Sequence, residues 1–192
     1  MIDFLGNLDQ ILFSFINSSM ANPVTDFLMP IITSDDLLRI AYGVAMLALL
    51  VRGNRRLRWL VLFSALTLLL TDQLSAHLLK PLIARIRPCH TIADIHLLVG
   101  CGSGYSMPSA HAANAFGQAA LFGIANKRTL KYLLSVAALI SLSRIFVGVH
   151  YPFDIVAGAA IGVFVGVITY CLFCQVDKKW RICGIRNSHH TR

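Results

Sequence analysis

TLKYLLSVAALISLSRIFVGVHYPFD, residues 129–154, is the stretch from which the fold is read. From Thr129 to Val149 the residues are almost all apolar, with Lys131 near the start and Arg144 deep inside. A helix that crosses a bilayer needs about 20 such residues. Gly148 and Pro152 then break the run, and His150 and Asp154 follow it at helical spacing. Arg144 has no acid near it in sequence, and an ionisable side chain within a membrane segment is expensive enough to imply a function.

The same pattern recurs on both sides of this stretch. Leu37 to Leu50 or Val51 reads as a first span, short enough that Arg39 must snorkel at its end. Leu57–Leu79, Ser109–Ala125 and Phe153–Phe173 read as the second, third and fifth, with Thr129–Val149 as the fourth. The expected fold is therefore all-α, an integral membrane helical bundle of about five transmembrane helices. Residues 2–16 add an N-terminal amphipathic helix, with Phe4, Leu5, Leu8, Ile11, Leu12, Phe15 and Ile16 on one face. Asp3, Asn7, Asp9, Gln10 and Ser14 form its polar face, so it should lie in the membrane interface. A signal peptide fits less well, because Asp3 stands where a positive segment belongs. Asn22-Pro23 breaks this helix, and Ser34-Asp35-Asp36 caps the next. The division expected is 1–34 interfacial segment, 35–176 membrane domain, 177–192 basic cytoplasmic tail.

Composition supports a single membrane domain. The chain has 192 residues, 56% hydrophobic and 14% charged, with a net charge of +8. The charge does not imply nucleic acid, because no basic stripe with interleaved aromatics exists. Instead it clusters. Arg52, Arg55, Arg56 and Arg58 follow the first span, Lys127, Arg128 and Lys131 follow the third, and Lys178, Lys179, Arg181, Arg186 and Arg192 end the chain. With five alternating spans these three segments share one side, which the excess of positive charge makes cytoplasmic. The loop from Lys80 to Met107 and the turn from Gly148 to Pro152 then share the opposite face. Cys89 and Cys101 lie in that loop, where an oxidising compartment allows a disulfide, although sequence cannot give their separation. Cys171 and Cys174 sit in an apolar helix end and read as buried, inert thiols. Acidic residues number nine, none is Glu, and they are scattered, so a metal site is not expected and no cofactor is implied.

Lys80, Arg87 and Arg144 are the cations placed at or within apolar runs. Lys80 and Arg87 are spaced as two helical turns, so a helix there would turn both to one side. Ordinary snorkelling would explain these two alone; Arg144 would not fit that explanation. Pro108-Ser109 opens the third span, whose first N–H groups and Ser109 hydroxyl can hold an anion or simply cap the helix. His111 and His150 need opposite roles, one neutral to attack phosphorus and one protonated to supply a proton. Asp154, one turn after His150, can fix its tautomer. This makes His150 the candidate nucleophile and His111 the candidate acid. Asp72 is expected to pair with a buried donor such as Arg144, and His77 to lie at the surface.

Lys80-x6-Arg87-Pro88, Pro108-Ser109-Ala110-His111 and Ser143-Arg144-x5-His150-x3-Asp154 together resemble the three-part signature of the type 2 phosphatidic acid phosphatase (PAP2) superfamily. That group includes membrane lipid phosphatases, soluble acid phosphatases and vanadium haloperoxidases. Ala110 departs from the Gly usual at its position. The resemblance implies His150, His111 and Asp154 as catalytic and Lys80, Arg87, Ser109, Ala110 and Arg144 as phosphate-binding. It also implies a lipid phosphate substrate, a phosphohistidine intermediate, and an active site on the outer face of the bacterial inner membrane. Undecaprenyl diphosphate is the favoured substrate because the chain is little more than the motifs and spans; phosphatidylglycerophosphate and lipid A are alternatives. A non-catalytic protein that binds phospholipid headgroups or carries anions would use the same cations. It would not need His111, His150 and Asp154 together.

Overall fold

The computed structural model describes residues 2–180, all of its regular structure helical. α1 (Ile2–Ser14) opens into a wider turn at Phe15–Ser19, and α2 (Pro23–Ile32) and α3 (Asp35–Arg52) follow. α4 (Arg55–Asp72) winds on through a second wide turn, Gln73–Leu79, into α5 (Lys80–Ile83). After α6 (Pro88–Thr91) come a long irregular loop, α7 (Ala110–Ala125), α8 (Lys127–Phe146) and α9 (Pro152–Trp180). Local chemistry sets the starts. Asn22 accepts from Val24 and Thr25 N–H while Thr25 returns a bond to Asn22, and Ser34, Asn54 and Asn126 cap α3, α4 and α8. The expected tail is described only as far as Trp180; Arg181, Arg186, His189, His190 and Arg192 lie outside the described residues.

A helix stands at each expected span. Among the described residues, Arg55–Thr91, Lys127–Phe146 and Pro152–Trp180 are long and apolar enough to cross a membrane. α3 carries Asp35, Asp36, Arg39 and Arg52, and α7 has 16 residues, about 24 Å at 1.5 Å each against a hydrocarbon core of about 30 Å. α7 is the central helix, packed by α4, α8 and α9.

The α7–α9 seam is made of missing side chains. Gly158, Gly162 and Gly166 recur every fourth residue, on one face of α9. A Cβ on each would come within 2.3 Å of Ser109 O, 2.2 Å of Ala113 O and 2.5 Å of Gly117 O. The backbones touch because nothing intervenes, the small-xxx-small packing of membrane helices. Polar pairs add cross-links: Thr67 to Thr169 at 2.8 Å and Ser64 to Gln118 at 2.6 Å. The Thr67 and Thr169 hydroxyls also lie within reach of carbonyls of their own helices, Phe63 O at 2.8 Å and Val165 O at 3.0 Å, so these buried polar groups are satisfied.

α1 docks on the bundle by a narrow, partly polar stripe. Asp9 and Asn17 are fully buried and Phe13 is 1% exposed, while Phe4, Ile11 and Phe15 of the apolar face are open. The stripe Asp9–Phe13–Asn17, four residues apart, meets the bundle and leaves those apolar side chains uncovered. Phe13 meets the Tyr151 ring edge-on at 5.4 Å. Asn17 Nδ2 donates to the carbonyls of Ile145 and Phe146, and so caps the last turn of α8. Hydrophobic periodicity found the helix but not its docked side, because the polar residues on that side have partners far away in sequence.

Two further expectations change. Cys171 and Cys174 are exposed on the outside of α9 rather than buried. α8 ends at Phe146, three residues before the expected end of the fourth span, because Gly148 turns the chain at φ +86. A Cβ there would also sit 3.0 Å from His96 O.

Candidate active site

Asp154, at the start of α9, is the hub. Its Oδ2 lies 3.4 Å from His150 Nδ1 and accepts the Tyr151 N–H at 2.8 Å. The Ser106 hydroxyl donates to the same oxygen. Its Oδ1 accepts Arg85 Nη1 at 2.8 Å. Arg85 Nη2 reaches on to Asp9 Oδ2 at 2.6 Å, and the guanidinium lies 4.1 Å from the Tyr151 ring centre. Asp9 Oδ1 takes the Phe153 N–H at 2.9 Å. A planar arginine fork thus ties α1 to the carboxylate beside His150, a geometry a lysine could not supply. Burial pushes the Asp9 carboxyl above its usual value, with the Arg85 hydrogen bond pulling against it.

His150 occupies the turn between α8 and α9 and is 2% exposed. Asp154 beside Nδ1 favours the Nδ1–H tautomer, which leaves an Nε2 lone pair. Nε2 lies 3.4 Å from Arg87 Nη1. Burial pushes this imidazole down, to about 3, outweighing the opposing pull of Asp154. The ring is therefore neutral at ordinary pH.

Arg87 is held by backbone oxygens: Nε donates to Gly104 O at 2.8 Å and Nη1 to Val149 O at 3.2 Å. Lys80 lies within electrostatic reach of Arg87, Arg144 and Asp154. No continuous helix joins Lys80 to Arg87. α5 stops at Ile83, Ala84 turns left-handed at φ 51, and Arg87 is extended. The two converge through that turn rather than along one helix face. Cys89, just beyond, is bonded to Cys101, so the loop is closed on itself.

The remaining wall comes from α7, α8 and the α2–α3 turn. Arg144 Nη1 donates to Thr33 Oγ1 at 2.6 Å, not to Asp72, whose charge is felt at Lys80. His111, in the first turn of α7, has Nε2 3.2 Å from Asp35 Oδ1, though not aligned for a hydrogen bond. Arg144 and Lys80 are its cationic neighbours. Ser109 is buried and caps α7, its oxygen taking the Ala112 N–H at 3.5 Å and its own N–H going to Asp154 O at 3.0 Å. The N–H groups of Ala110 and His111 are left as first-turn donors without an intrahelical acceptor. His77 is exposed and outside this cluster.

The structure thus gathers Lys80, Arg87, Ser109, Ala110, His111, Arg144, His150 and Asp154, all chosen from sequence. It adds Asp9, Thr33, Asp35, Arg85 and Ser106, which sequence reasoning did not select. Arg85 stood two residues from Arg87 and was the nearest available signal. As for metals, Cys89, His90 and Cys101 bring three ligand-type atoms within 4.8 Å, but the sulfurs are bonded to each other and offer no thiolate.

Comparison with known proteins places the chain in one family. The PAP2 superfamily matches residues 60–177. A lipid A 4'-phosphatase of Bacteroides thetaiotaomicron is 35% identical over 191 residues, covering 93% of this chain and 83% of that protein. A decaprenylphosphoryl-5-phosphoribose phosphatase of Mycobacterium tuberculosis is 36% identical over 125 residues, 65% of this chain and 67% of that one. The crystal structure of Aquifex aeolicus LpxE superposes with a TM-score of 0.68 at 28% identity, over 84% of this chain and 94% of that one. A family match across more than half of the chain, apolar helices long enough to span a bilayer, and phosphatase relatives along nearly its whole length agree: the chain belongs to the PAP2 superfamily and is an integral-membrane phosphatase.

Proposed function

We propose that the protein removes phosphate from a membrane lipid at the non-cytoplasmic face, through a phosphohistidine on His150. The observation that carries this reading is the placement of His150, with Asp154 behind Nδ1 and Arg87 beside Nε2, each at 3.4 Å. Nε2 attacks phosphorus while the bond to the leaving oxygen breaks, and the electron pair goes to that oxygen. His111 supplies its proton. Lys80, Arg87, Arg144 and the N–H groups at the start of α7 neutralise the equatorial oxygens. Water then attacks the phosphohistidine, the P–N bond returns its pair to His150, and His111 takes the proton from water.

Lipid A phosphorylated at the 4' position is the substrate best supported, by the similarity that extends over 93% of the chain. Undecaprenyl diphosphate, favoured from the compactness of the chain, is the reading the assay must separate from it. Detergent-purified protein is given lipid A, phosphatidylglycerophosphate and undecaprenyl diphosphate, and released phosphate is measured. Fastest release from lipid A is expected. A radiolabelled donor, quenched in alkali, should leave label on the wild type and none on His150→Ala. With an activated ester, His111→Ala should still label, because a good leaving group needs little protonation. Label retained by His150→Ala and lost by His111→Ala would reverse the two roles.

A further inference from the structure

Asp35 has no part in the phosphate chemistry above, yet its carboxylate lies 3.2 Å from His111 Nε2. Its side chain is 63% exposed while that of His111 is 17% exposed, so Asp35 stands at the mouth and His111 behind it. Arg144 feels the Asp35 charge more than any other. The simpler role is that of an acid in the first turn of α3, where it complements the helix dipole. Asp36 fills that role as well and faces Arg39 at 3.9 Å. What distinguishes Asp35 is its neighbour, the proton donor to the leaving group.

We infer that Asp35 sets the leaving-group preference, favouring phosphate monoesters, which leave as neutral alcohols, over diphosphates, which leave as anionic phosphates. The inference rests on the assignment of His111 as the acid. Two effects act in the same direction. An alkoxide is a poor leaving group, so a monoester needs a cationic His111, and a carboxylate beside the ring favours the cation. A leaving phosphate needs that proton less, and departs carrying charge of its own past Asp35. Like charge at the exit then slows its departure and weakens ground-state binding of the diphosphate.

The test compares dodecyl phosphate with dodecyl diphosphate in detergent micelles, so that only the leaving group differs. Asp35→Asn should move the kcat/KM ratio toward the diphosphate by about tenfold or more, and Asp35→Glu should hold it near the wild-type value. Asp36→Asn, which removes a carboxylate from the same helix turn, should leave the ratio unchanged. Should Asp35→Asn fail to fold, Asp35→Ser takes its place with the same expectation. An active Asp35→Asn with an unchanged ratio, or with both substrates slowed equally, overturns the inference alone. No phosphate from either substrate in the wild type overturns the phosphatase reading and this inference with it.

Discussion

At the scale of single residues, the site is organised by what Asp154 is made to hold. It receives His150, Arg85, Ser106 and the Tyr151 N–H, so neither of its oxygens is without a donor. A carboxylate so committed orients an imidazole rather than competing for its proton. The consequence for pH follows from His150. Its neutral form is the nucleophile, and burial holds the conjugate acid far below the usual value of about 6.5. A depressed value means that the neutral ring persists as pH falls, so protonation of His150 should not limit activity near pH 6. The acid limb of kcat/KM against pH is therefore expected well below the ordinary imidazole range. An acid limb centred near 6.5 and assigned to His150 by labelled-histidine NMR would contradict this.

At the scale of elements, α7 and α9 carry the architecture, because their contact positions both motifs. Ser109, before the first turn of α7, donates its N–H to Asp154 O in the first turn of α9. The same two helices stay in register through Gly158, Gly162 and Gly166. Gly162→Ala puts a methyl 2.2 Å from Ala113 O and 2.8 Å from Gly117 N, against backbone that cannot swing away. The helices must shift apart to relieve these contacts. The expected cost is about 2 kcal/mol, as for other overpacked cores, visible as a lower melting temperature in detergent. Activity should fall with it, since His111 and Asp154 move with their helices. Gly6→Ala, where a Cβ meets nothing within 4 Å, is the matched control and should do neither.

At the scale of the whole molecule, the expected orientation rests on the charge distribution. Arg52, Arg55, Arg56 and Arg58 lie at the α3–α4 turn and Lys127, Arg128 and Lys131 at the start of α8, the ends remote from His150. We expect those ends and the C-terminus in the cytoplasm. An alkaline phosphatase reporter fused after Arg192 should therefore be inactive and a fluorescent cytoplasmic reporter active. The reverse result would place the site on the cytoplasmic side.

The sequence by itself determined the helical class, the place of a helix at each expected span, and several residues that the fold brings together from distant parts of the chain. It could do so because bilayer-length apolar runs and the few charges interrupting them are one-dimensional signals. Tertiary structure alone decided which way α1 faces and what completes the site. Asp9 looked like a solvated residue because its partners, Arg85 and the Phe153 N–H, are far along the chain. Asp35 looked like a helix cap, and only the fold sets it beside His111. Arg85 and Arg87 are two residues apart and of the same type, yet one braces Asp154 against α1 and the other meets His150. That difference arises from the turn at Ala84 and the direction each side chain takes after it. Periodicity reports which residues prefer to leave water, but the pairing of buried charges depends on geometry between elements, which no local pattern records.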